Sequence, residues 1–86
     1  MVNYVNVYTY KKDVSFRNGL WVNVDGEPVT GIKKAYSNGS YGTLQDETML
    51  VDGVNNGLQK VYDPKGNLWY ENTWKNGVLV SFKKIS

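Results

Sequence analysis

The chain has 86 residues, a formal charge of +2, and neither cysteine nor histidine. That length bounds it to one domain near the lower limit of independent folding, where only ~60% of the surface is buried. The missing residue types exclude disulfides, thiolate nucleophiles, imidazole acid–base chemistry and the commonest transition-metal ligand, and the charge is too slight to mark a dedicated nucleic-acid binder.

The aromatic supply is large, with three Trp, seven Tyr and two Phe, and such residues sit well on a pleated surface. The opening MVNYVNVYTYKK lacks the basic start and apolar core of a signal peptide, and no run approaches the ~20 apolar residues of a membrane span. A cytoplasmic setting is therefore expected. The abundance of Asn, Lys and Tyr, whose codons are AT-rich, points to a low-GC bacterium or its phage.

Residues 1–24 are expected to form N-terminal strands carrying Val5, Val7, Val14, Phe16, Leu20 and Val22, reversed at Asn18-Gly19. Asn-Gly recurs at 38–39, 56–57 and 76–77, and Asp25-Gly26, Asp52-Gly53 and DPKG at 63–66 add further reversals. Asn-Gly between apolar runs signals a type I′ hairpin turn, because both central residues need positive φ. The result is an all-β reading: one antiparallel meander sheet of stacked β-hairpins, a single domain over 1–86, with the N-terminal strands closing or extending it.

The chain also repeats itself. GIKKAY at 31–36 matches GLQKVY at 57–62, and each copy runs through a turn and an aromatic-bearing strand to VDG at 51–53 or KNG at 75–77. Two units follow, 31–53 and 57–77, and residues 78–86 form a terminal strand. The pattern Gly-x-x-Lys-x-Tyr, a Gly turn, a strand and Lys-Asn-Gly resembles the MORN-variant repeat. The resemblance implies an open sheet of stacked hairpins acting as an interaction module, often antitoxin-like in bacteria, with no shared catalytic residues.

The second unit can be drawn in register. With DPKG as a type I turn and Gly66 left-handed, Tyr62 pairs with Leu68, Val61 with Trp69 and Lys60 with Tyr70. One face then collects Leu58, Lys60, Tyr62, Leu68, Tyr70, Trp74 and Leu79. The other collects Gln59, Val61, Trp69, Glu71, Thr73, Val78, Val80 and Phe82. Both faces carry apolar groups, so either the N-terminal strands cover one of them or a partner does.

No arrangement of side chains points to catalysis. Asp25, Asp52 and Asp63 have structural uses at turns, nothing in the spacing favours Asp46 with Glu71 as a glycosidase pair, and VNVDGEP at 22–28 lacks the ligand spacing of a calcium loop. No metal or cofactor is expected. The expected activity is non-catalytic: a small inhibitor that occludes a partner protein, with Trp69, Trp21, Tyr41 and Tyr70 as anchors and Lys33, Lys34 and Lys65 steering an acidic partner. The partner is a toxin in an antitoxin or immunity setting, or a defence nucleoprotein effector in a phage anti-defence setting such as an anti-CRISPR. A homodimer is a further expectation. The alternative is single-stranded nucleic acid, with bases stacked on Tyr36, Tyr62 and Tyr70 beside Lys33, Lys34 and Lys60.

Overall fold

The computed structural model describes residues 6–38 and 41–85; the side chains of Asn38 and Tyr41 lie outside that description, as do Val5, Gly39 and Ser40. The elements are β1 (Val7–Thr9), β2 (Val14–Arg17), β3 (Leu20–Asn23), β4 (Gly31–Asn38), β5 (Tyr41–Val51), β6 (Val54–Tyr62), β7 (Leu68–Lys75) and β8 (Val78–Lys84). Six strands form one sheet in the order β1-β4-β5-β6-β7-β8, and β2–β3 is a separate hairpin. The all-β reading holds. The single meander is corrected at its N-terminal end, where β1 joins the sheet parallel to β4, pairing Val7 with Ile32 and Thr9 with Lys34. Of the N-terminal strands, β1 extends the sheet as expected, whereas β2–β3 neither extends nor closes it but forms a separate two-stranded sheet.

The turns follow the sequence closely. Asn18-Gly19, Asp52-Gly53 and Asn76-Gly77 each have two successive residues at positive φ, the backbone of a type I′ turn, whose twist matches that of the flanking strands. At DPKG the Gly66 N–H donates to the Asp63 carbonyl, the Asp63 N–H donates to the Asn67 carbonyl, and the Asp63 carboxylate accepts from the N–H groups of Lys65 and Asn67. Asn38 pairs with Tyr41 at the end of the antiparallel β4–β5 ladder, and the expected Asn38-Gly39 turn lies outside the described residues. Asn56-Gly57 is not a turn. The chain has already reversed at Asp52-Gly53, and a second reversal three residues later would leave a strand too short to pair. Gly57 instead lies inside β6 at φ +111.

The register contains a second correction. Tyr62 pairs with Leu68 as expected, but Val61 then pairs with Tyr70, leaving Trp69 as a one-residue bulge. Such a bulge inverts the faces beyond it. Tyr70 and Trp74 therefore join Gln59, Val61 and Trp69, while Glu71 and Thr73 join Leu58, Lys60 and Tyr62. The first hairpin carries the same bulge: Ala35 pairs with Asp46 and Tyr36 with Leu44, leaving Gln45 out. Leu44 and Leu68, Gln45 and Trp69, Glu47 and Glu71, and Leu50 and Trp74 thus occupy equivalent positions in two copies of one hairpin.

The core lies between the β2–β3 hairpin and the β4–β5 end of the sheet. Val14, Val29 and Leu50 are buried together, with Tyr8 and Trp21 packed against them. Leu50 is fully enclosed, and burying such a side chain stabilises by about 1.5–3 kcal/mol. Backbone hydrogen bonds fix the hairpin to the turn after β5: Trp21 N–H to Gly53 O at 2.8 Å, Gly53 N–H to Val29 O at 2.9 Å and Val29 N–H to Trp21 O at 3.2 Å.

The glycines that open the two repeat units, Gly31 and Gly57, both have positive φ, but their surroundings differ. A Cβ on Gly31 would stand 2.4 Å from the Asn6 backbone oxygen, whereas on Gly57 it would meet the mobile Met49 thioether at 2.9 Å. Gly31→Ala should therefore lower the urea unfolding free energy by about 3 kcal/mol or more, and Gly57→Ala by about 1–2 kcal/mol. Equal costs would show that backbone strain alone, rather than the β1 contact, sets the penalty.

Candidate protein-binding surface

One face of the sheet carries Lys33, Ala35, Asp46, Thr48 and Leu50 in the first unit, and Gln59, Val61, Tyr70, Asn72 and Trp74 in the second. The hairpin covers the first set. Ala35, Thr48 and Leu50 are buried beneath it, and Lys33 is only 7% exposed. The second set and the neighbouring strand are left half-buried or exposed. Trp69 is 37% exposed and Phe82 61%, and Leu79 and Val80 are exposed as well.

The aromatic rings on this open half are ordered by the bulge. Because Trp69 is the extra residue, it does not alternate with Tyr70 to the opposite face; their rings lie 4.8 Å apart. Tyr70 in turn stands 5.1 Å from Phe82 on β8. The three rings form a continuous apolar run, each contact worth about 0.5–1.5 kcal/mol beyond area burial. Behind them Gln59 is a polar clamp, its side-chain oxygen accepting from Trp74 Nε1 at 2.8 Å and Asn72 Nδ2 at 3.1 Å. A shallow groove of roughly 430 Å³ opens beside Trp69, walled by Val61, Pro64, Gln45 and Asp46.

The seven expected site residues do not form one surface. Trp69 and Tyr70 stand together on the open half. Trp21 belongs to the hairpin, edge-on to Tyr10 at 5.4 Å and tilted against Phe16 at 5.1 Å. Lys33 reaches up to it, with its ammonium 3.9 Å from the Trp21 ring centre and 3.7 Å from the Asp46 carboxylate. Burial holds its pKa below the usual lysine value, against the opposing pull of Asp46. Lys34 faces the other side of the sheet, 3.7 Å from Glu47, and Lys65 is exposed in the DPKG turn. Tyr41 begins β5, and its side chain is outside the described residues. Asp46 and Glu71 lie on opposite faces, so they share no cleft. Phe82 is the functional candidate that residue-by-residue reading passed over as an anchor. Its signal was its place among Val78 and Val80 in a strand with no acidic residue.

The opposite face is organised by charge. Register partners run Lys34, Glu47, Lys60, Glu71 and Lys83 across β4 to β8, an alternation that favours each neighbouring pair. Glu47 also accepts a 2.5 Å hydrogen bond from the Tyr62 hydroxyl. Burial, then the Glu47 hydrogen bond and charge, then the charge of Glu71, push the Tyr62 pKa up to about 12. No protein-family profile, curated protein or solved structure matches this chain.

The Tyr62 shift has a definite consequence for stability. Its folded pKa lies above the unfolded value of 10.0, so its contribution is complete below pH 10 and is lost as pH rises through 12. Unfolding free energies measured between pH 9 and 12 should fall over that window, and the Tyr62→Phe variant should fall less steeply. An unchanged slope in the variant would mean that the Glu47 hydrogen bond does not couple to folding.

Proposed function

We propose that this protein is a non-catalytic binding module that occludes a partner protein with the open half of its sheet, Trp69, Tyr70 and Phe82 forming the central contact. The observation that carries this reading is the unequal cover of two equivalent hairpins. The face that the first hairpin buries under β2–β3 is, in the second, aromatic and uncovered. Trp and Tyr in such a patch are the residue types that dominate binding energies between proteins. The MORN-variant resemblance adds the setting, a small antitoxin- or immunity-like inhibitor, and a phage anti-defence role fits the same surface.

Single-stranded nucleic acid is the weaker reading, because the strand lysines it needs lie beside carboxylates. Lys33 and Lys34 stand beside Asp46 and Glu47, and Lys60 lies in register between Glu47 and Glu71. Phosphate binding requires cations free to displace counterions.

Affinity capture from the encoding organism's lysate tests the two readings together. Wild type is compared with a Trp69→Ala, Tyr70→Ala variant of matched circular dichroism, with and without nuclease. A protein retained through nuclease and lost in the variant is the expected result, with affinity reduced at least about 30-fold if each ring contributes ~1 kcal/mol or more. Recovery of nucleic acid alone, abolished by nuclease, would overturn the proposal in favour of base stacking.

A further inference from the structure

The charge row on the second face stops at the sheet's open edge, and its last residue is a cation. The strands of the two repeat units alternate in kind. β4 and β6 place Lys34 and Lys60 in the row, and β5 and β7 place Glu47 and Glu71. β8 follows as a third lysine strand, with Lys83 opposite Glu71. β6 has a carboxylate strand on each side, β5 and β7, whereas β4 has β5 on one side and β1, without a carboxylate, on the other. On β8 the side away from β7 is empty among the described residues.

The β8 edge has the attributes of a docking strand. All seven of its residues are exposed, it contains no proline or carboxylate, and its only charges, Lys83 and Lys84, sit at one end. Edge lysines and bulges ordinarily guard against strand pairing; here the bulge at Val80 interrupts the edge, which leaves residues 81–84 as its regular stretch. The Ile85 N–H donates inward to the Trp69 carbonyl at 2.8 Å. Alternation therefore turns the backbone N–H and C=O of Lys84 and Phe82 outward, and makes Lys83 a non-hydrogen-bonded position toward any added antiparallel strand. Side chains approach closest at such positions.

We infer that β8 binds an extended acidic segment of a partner protein as the next strand of the sheet, with a carboxylate of that segment opposite Lys83. This inference rests on the proposed protein-binding role and specifies how the partner is held. A second copy of the chain does not fit the edge as well. Its carboxylate strands, β5 and β7, are paired on both sides, and its described free edges, β1 and β8, carry no carboxylate within the strand. The added strand extends the sheet beside the Trp69, Tyr70 and Phe82 run, so one partner engages edge and face together.

The full chain is titrated with a fluorescent peptide reproducing residues 43–50, Thr-Leu-Gln-Asp-Glu-Thr-Met-Leu, which is the internal carboxylate strand itself. Saturable binding below about 1 mM is expected, with the Phe82 and Lys84 amides becoming protected from hydrogen exchange. A peptide carrying Glu47→Lys should bind about three- to tenfold more weakly. Lys83→Glu in the protein should reverse the preference between the two peptides. Lys83→Gln, which sets no second carboxylate beside Glu71, should only reduce it. Absence of binding at 1 mM, or binding indifferent to the charge reversals, overturns the inference. So does sedimentation showing a dimer whose Phe82 and Lys84 amides are protected without peptide. Capture of a protein partner that depends on Trp69 and Tyr70 but not on Lys83 would leave the proposed function standing and remove this inference alone.

Discussion

A single extra residue in each long hairpin, Gln45 in the first and Trp69 in the second, decides which side of the sheet Glu47 and Glu71 take. Strand side chains alternate with period two, so one unpaired residue inverts everything beyond it. Without the bulge, Glu71 would stand opposite Gln59 and the charge row would break after Lys60. With it, the carboxylates of both units fall between lysines. Leu50 and its counterpart Trp74 then turn toward the side on which the β2–β3 hairpin lies. The charge row thus depends on the same bulge used in both hairpins.

That arrangement makes the protein unequal from end to end. The hairpin packs on the first unit, where Val14 joins Val29 and Leu50 in the buried cluster and Trp21 lies over the Lys33 ammonium, and borders the second unit only across an open groove shared with Trp74 and Gly77. A buried lysine is costly, and Asp46 with the ring face of Trp21 offsets the desolvation. At the equivalent positions of the second unit there is no buried charge: Gln59 replaces Lys33 and holds Trp74 and Asn72 by hydrogen bonds. An amide tolerates partial exposure without a counter-charge. The second unit is therefore chemically suited to remaining open, whereas the first requires its cover.

The legible parts of the fold were those fixed by local chemistry. Asn18-Gly19, Asp52-Gly53, Asn76-Gly77 and the Asp63–Gly66 turn have side chains or positive-φ residues that determine their own backbone, and each is where the sequence places it. Asn56-Gly57 carries the same signal and lies in a strand, because pairing of β6 on both sides outweighs a preference of about 1 kcal/mol. The parallel β1–β4 contact joins residues separated by the entire β2–β3 hairpin, and no local pattern encodes it. The Trp69 bulge was likewise hidden, since Trp is not a residue that bulges demand. Of the expected anchors, Trp69 and Tyr70 were found together because the repeat exposed them. Trp21 and Lys33 were not separable by sequence from surface residues, since their burial depends on the hairpin's long-range docking.

On the proposed reading, the two faces of the second unit would recognise a partner by different physics, and at the same edge. The aromatic run would offer area and desolvation, which hold a partner but discriminate weakly among apolar surfaces. The Lys83 position offers little energy, because an exposed cross-strand pair is worth under about 1 kcal/mol, yet it penalises a cation placed opposite it by a comparable amount. Backbone pairing along Phe82 and Lys84 would fix the register in which that charge test is applied. Strength from one face and selection from the other, joined through a single strand, is what a sheet of this thinness can provide without a cleft.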